Sequence, residues 1–177
     1  MTKDNLIKII GIGMVLTGIS FYGKSILSLP LLIKNVLNAK ESTLSALKYL
    51  TLTVIYFALY TSSGIGLIFT KKWGWYLGSF NFVFIIIRNL YIFPLFIISL
   101  VKDNDFSNSF LHLIIGNCGT ILIGLILLSY LLKTEIREHF LIKTNKRNLL
   151  IFMIVISVLI IGVRDLPYFI NVAKSIR

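Results

Sequence analysis

The chain has 177 residues, 56% of them hydrophobic and 14% charged, with mean hydropathy +0.88. A soluble domain of this length would leave large apolar surfaces in water, so the composition excludes one and indicates an integral membrane protein. The formal net charge is +11, but the basic residues lie along segment ends and loops, which suits anchoring on anionic lipid and provides no nucleic-acid-binding arm. Cys118 is the single cysteine, which excludes an intramolecular disulfide, a redox thiol pair and a cysteine-cluster metal site.

From Leu6 the run LIKIIGIGMVLTGISFYG is long enough to span a bilayer, and no small-residue cleavage site follows the short basic start. It reads as a retained first helix over about 6–29. The glycines of GIGMVLTG superficially match a phosphate loop, but inside an apolar span they read as helix packing. Pro30 removes a helical hydrogen bond, so a kink or break is expected there. A second span covers about 44–70 and is closed tightly by Lys71, Lys72 and Trp73. Trp73, Trp75 and Tyr76 are expected to form an aromatic belt at that surface.

The third span, about 73–100, carries an arginine far inside it. From Trp73 the helix rises roughly 22 Å before Arg88, against an apolar slab about 30 Å thick. A cation at that depth must snorkel, line a polar cavity or meet an anion. The polar, acidic stretch at 102–109 suits the opposite membrane face. A fourth span over about 110–132 ends in KTEIREHFLIKTNKR, whose Ile136, Phe140 and Leu141 form a short amphipathic turn for the membrane surface. A fifth span runs over about 149–165. The fold class expected is therefore an all-α integral membrane protein. It is a single domain over 1–177, a five-helix bundle with proline-kinked odd-numbered helices.

With the N-terminus inside, nine Lys/Arg fall on each side. Setting aside Lys24, Arg88 and Arg164 as embedded leaves nine inside and six outside, and the tight Lys71–Lys72 turn favours a cytoplasmic N-terminus and an external C-terminus. The first and third spans also align on their prolines, KSILSLPLLI at 24–33 with RNLYIFPLFI at 88–97, and RDLPYFI at 164–170 is a shortened version. This points to a degenerate helical-hairpin repeat, although abundant Leu and Ile allow the same agreement by chance.

Lys24, Arg88 and Arg164 sit at similar distances into their spans, and no carboxylate lies mid-span to neutralise them. They are the candidate anion- or partner-binding residues; the alternative is independent snorkelling of each. Asn81, Asn89, Asn117 and His112 are the intramembrane polar candidates, with interhelical hydrogen bonding as the bland alternative. Ala58, Ser62 and Gly66 in the second span, and Gly116, Thr120 and Gly124 in the fourth, recur every four residues and are expected to pack helices closely. Glu135, Glu138 and His139 lack metal-ligand spacing and read as a solvated helix face. No catalytic residue, metal or cofactor is implied.

The pairing of GIGLIFTKKWGWYL at 64–77 with YLLKTEIREHF at 130–140 resembles a pattern in small multi-spanning bacterial membrane proteins of uncharacterised function. The two segments hold 25 of the 177 residues. The resemblance implies an inner-membrane helical bundle and carries no catalytic residues over. The functional expectation is a non-enzymatic bacterial membrane protein, of accessory or immunity type, that binds an anionic lipid headgroup, a peptide or a partner membrane subunit near its outer face. Two alternatives are a small transporter or its substrate-binding subunit, with the intramembrane polar groups as the site, and, less supported, an enzyme acting on lipid phosphate. The expected partners are membrane lipids and a membrane protein or anionic ligand. Nothing in the sequence fixes an oligomeric state.

Overall fold

The computed structural model describes residues 2–23, 43–103 and 108–175, with side chains described for 2–20, 51, 53–94 and 114–163. Every regular element among these residues is helical. In chain order they are α1 (Lys3–Thr17), a π-helical continuation (Gly18–Gly23), α2 (Thr43–Ile68), α3 (Lys72–Asp103), α4 (Asn108–Leu131), α5 (Thr134–His139) and α6 (Lys146–Ser175). Pro30 and Lys24, with the whole stretch 24–42, lie outside the described residues.

Among the described residues three helices are long and apolar enough to cross a membrane: Lys72–Pro94 in α3, Ile114–Leu131 in α4 and Lys146–Val163 in α6. They coincide with the third, fourth and fifth expected spans because each is an apolar run bounded by Lys, Trp or polar turns. Within α2 the described apolar stretch is the shorter Thr53–Ile68. The α3 span has 39% of its residues buried, against 17% for α4 and 22% for α6, so α3 is the most enclosed and the other two expose most of their apolar surface. Helix α3 continues on both sides of Pro94, although that residue cannot donate the hydrogen bond its turn would otherwise have.

The helix ends follow capping chemistry. Thr2 caps α1, its Oγ1 accepting from the Asn5 amide, and Asn145 caps α6, its Oδ1 accepting from the Arg147 amide at 2.9 Å. Helix α2 ends in a Schellman turn: the Lys71 amide donates to Gly66 O at 2.7 Å and the Thr70 amide to Leu67 O at 3.0 Å. Thr70 occupies the left-handed position, φ 51°, where glycine is the usual choice. Helix α5 ends in the same way, with the Ile142 amide on Arg137 O at 2.8 Å and Leu141 at φ 55°.

The chain divides into two compact units, Met1–Asn81 with His139–Leu141, and Phe82–Glu138 with Ile142–Arg177. Helix α3 contributes to both. In the first unit α1 and α2 pack antiparallel through glycine. A Cβ at Gly11 would meet Gly64 O at 2.7 Å, and one at Gly18 would meet Thr61 Oγ1 at 2.8 Å. This backbone-to-backbone approach is the close packing that small residues permit between two helices. The unit's buried apolar residues include Ile7, Ile10 and Met14 of α1, Leu67 of α2, Trp75 of α3 and Phe140.

In the second unit, Leu149, Met153, Ser157 and Ile161 form one buried stripe on α6, four residues apart. Ser157 Oγ donates to Met153 O at 2.7 Å, so its hydroxyl is satisfied within its own helix. On α4 Gly124 and Leu128 are buried, continued by Leu132 just past its end, and Gly124 lets Ile86 of α3 approach.

Candidate functional site

The polar groups enclosed in the first unit centre on Asn81. It is 2% exposed, and its Nδ2 donates to Ser63 Oγ at 3.0 Å and to Leu59 O at 3.2 Å, both on α2. Ser63 is itself buried; its hydroxyl lies 3.0 Å from Tyr60 O and 3.8 Å from Met14 Sδ of α1. One amide and one hydroxyl therefore tie the start of α3 to α2, beside α1, in an environment where an unmet polar group is expensive. Ser79, also buried, has no hydrogen-bond partner for its Oγ among the described residues.

The other intramembrane candidates are placed differently. Asn89 Nδ2 turns back onto Ile85 O of its own helix at 2.8 Å. Asn117 is half-buried on α4, in the second unit. His112 is on α4, with its side chain outside the described residues. Arg88 is on α3, sixteen residues beyond Lys72, half-buried overall with its Nε fully shielded. Arg164 belongs to α6, but its side chain, like all of Lys24, is outside the described residues, so the expected cation cluster rests on Arg88 alone here.

The small-residue stripes divide unevenly. Gly66 is a close-approach position: a Cβ there would run into Gly74 Cα and would meet Trp73 at 2.8 Å. Gly124 is another, with Ile86 Cγ1 at 3.1 Å. Gly116 would meet nothing within 4 Å, and Thr120 and Ala58 are exposed. Ser62 and Thr120 instead bond carbonyls one turn back in their own helices, Ala58 O at 2.5 Å and Gly116 O at 2.7 Å. The contact face of α2 toward α1 is rotated from the stripe that four-residue spacing selects, and runs through Tyr60, Thr61, Gly64 and Ile68. Its signal in the sequence is the pair Gly11 on α1 and Gly18 at the start of the π-helical continuation, seven residues apart, whereas Gly13 between them is open.

Two surface expectations also change. Trp73 is exposed but Trp75 is fully buried, edge-on to Tyr76 with ring centroids 5.2 Å apart. Residues two apart on a helix point to nearly opposite sides, so the two tryptophans cannot both face the interface. In the turn after α4, Ile136 and Phe140 are buried and only Leu141 projects outward. The basic end of the first unit is drawn together by Asp4 of α1, whose carboxylate lies 3.1 Å from Lys8 Nζ and 3.2 Å from His139 Nε2. In the second unit Lys133 Nζ sits over the Tyr130 ring, 5.6 Å from its centroid. Among the described residues no group of His, Cys, Asp or Glu is arranged to hold a metal ion. Compared with known proteins, the chain matches no family model, no curated protein and no solved structure.

Proposed function

We propose that this chain is a non-enzymatic protein of a bacterial inner membrane, crossing it five times with proline-bent odd-numbered spans. In this reading it binds an anionic lipid headgroup, peptide or partner subunit near its outer face through Lys24, Arg88 and Arg164. The observation that carries the proposal is Arg88: a guanidinium sixteen residues into the 23-residue span Lys72–Pro94, with its Nε shielded. A permanent cation held there favours an anion, since the cost of keeping it in the apolar slab falls when a negative group joins it.

Asn81 supports binding over transport. Its amide is spent on Ser63 and Leu59, which makes it a packing residue instead of a group lining a substrate path. The pairing of Asp4 with His139 supports the topology, because it brings the N-terminus and the segment after α4 to one end of the first unit. Both are on the cytoplasmic side in the five-span arrangement, and the α2–α3 turn at Lys71–Lys72 joins them there.

The test is Arg88→Gln, which removes the charge and keeps hydrogen-bonding capacity. Native mass spectrometry of the purified protein with phosphatidylglycerol should show fewer lipids retained per chain than the wild type, with helical content unchanged. Undiminished retention by Arg88→Gln would leave snorkelling as the role of the arginine.

A further inference from the structure

At the end of the first unit where α2 turns into α3, three large apolar side chains stand out beside two lysines. Phe69 is 65% exposed, Trp73 47% and Leu141 73%, and Lys71 and Lys72 are exposed between the first two. The residues belong to one compact unit. Gly11 of α1 lies against Gly64 and Ile68, so Asp4, two helical turns earlier and about 10 Å along the axis, is level with the turn. Asp4 in turn touches His139, which brings the short α5 terminus carrying Leu141 to the same end.

Within the first unit, Asp4 is engaged by Lys8 and His139. Among the described residues neither Lys71 nor Lys72 has a carboxylate within ion-pair distance. Leu141 is left bare, which is unfavourable in water and favourable against acyl chains. Trp73 has the amphipathic ring that settles at headgroup level.

We propose that this end is a docking surface for anionic phospholipid: Lys71 and Lys72 hold headgroup phosphates while Phe69, Trp73 and Leu141 enter the outermost acyl region of the same leaflet. The occupant is an anionic lipid because uncompensated cations and exposed apolar tips occur together, a combination that a lipid monolayer meets and a soluble acidic partner does not. The proposal rests on the membrane reading above and concerns the cytoplasmic face, opposite to Arg88.

The wild-type chain is reconstituted in vesicles containing equal mole fractions of phosphatidylglycerol and phosphatidylcholine, with bromine on the acyl chains of one lipid or the other. Trp73 is the exposed member of the two tryptophans and serves as the reporter. Brominated phosphatidylglycerol should quench its fluorescence at least twofold more than brominated phosphatidylcholine. The double variant Lys71→Gln, Lys72→Gln should lose that preference, and Leu141→Asn should reduce quenching by both lipids. Equal quenching by the two lipids in the wild-type chain overturns the proposal, whatever the variants do. A chain that floats with the vesicles but is quenched by neither has this end covered by protein, which also overturns it. A chain that does not float with the vesicles overturns the membrane reading itself.

Discussion

Substituting Gly64 by alanine tests the way the first unit is held together. A Cβ at that position would lie 2.5 Å from Gly11 O, 2.7 Å from Val15 Cγ2 and 2.9 Å from Val15 N, whereas ordinary contact begins at 3.4 Å. Two of the three obstacles are α1 backbone atoms, which no side-chain rotation can clear, so α1 must move off α2 by about 0.9 Å. A gap of that size forfeits between a quarter and a half of the dispersion energy of the contacts it opens, and overpacking of this kind costs about 1–3 kcal/mol. The helix gains up to about 1 kcal/mol in return, because alanine is the better helix former. The net expectation is a loss of up to about 2 kcal/mol. Gly116→Ala is the internal control. Its Cβ meets nothing within 4 Å, so only the propensity gain acts and stability rises by up to about 1 kcal/mol. Thermal unfolding in one mild detergent, followed by circular dichroism and by the emission of buried Trp75, compares the two variants. If Gly64→Ala proves as stable as Gly116→Ala, α1 and α2 are not in backbone contact and the packing argument fails.

Other perturbations separate structural from surface roles. Asn81→Ala removes two hydrogen bonds and leaves a void at a buried site, so it should lower unfolding stability by about 1–3 kcal/mol, while Asn89→Ala, which loses only a bond within its own helix, should stay within about 0.5 kcal/mol. Thr70→Gly should raise stability by about 0.5–1 kcal/mol in the same unfolding assay, because a β-branched residue now holds the left-handed position of the α2 terminus; an unchanged or lowered midpoint would contradict that geometry. Asn145→Ala removes the cap of α6 and should cost about 1 kcal/mol, read as earlier hydrogen exchange at the first turn of that helix.

The three spans in α3, α4 and α6 were legible because length and composition decide them: each is an apolar run closed by lysine or by a polar turn. The faces those helices bury were legible only in part. Four-residue spacing finds Gly66 and Gly124, which meet a neighbour, and equally Gly116, which does not. In a chain so rich in small and apolar residues, several stripes satisfy the same period, and only the partner helix selects among them. Asn81 was legible as an interior residue, since a lone amide in an apolar span needs a partner. That the partner is Ser63, eighteen residues earlier, depends on the α2–α3 turn and could not be read from spacing. Ile136 and Phe140 read as membrane-surface residues because a six-residue helix shows which residues share a face but not what that face meets; the protein buries them.

The central claim is that these helices cross a membrane with the Lys71–Lys72 turn and the segment 133–147 on its cytoplasmic side. Single cysteines introduced at 71, 105 and 143 in a Cys118→Ser background, and labelled in intact cells with a membrane-impermeant maleimide, test it directly. Position 105 should react from outside, and positions 71 and 143 only after the membrane is permeabilised. Labelling of 71 or 143 in intact cells, or protection of 105 until lysis, would contradict it.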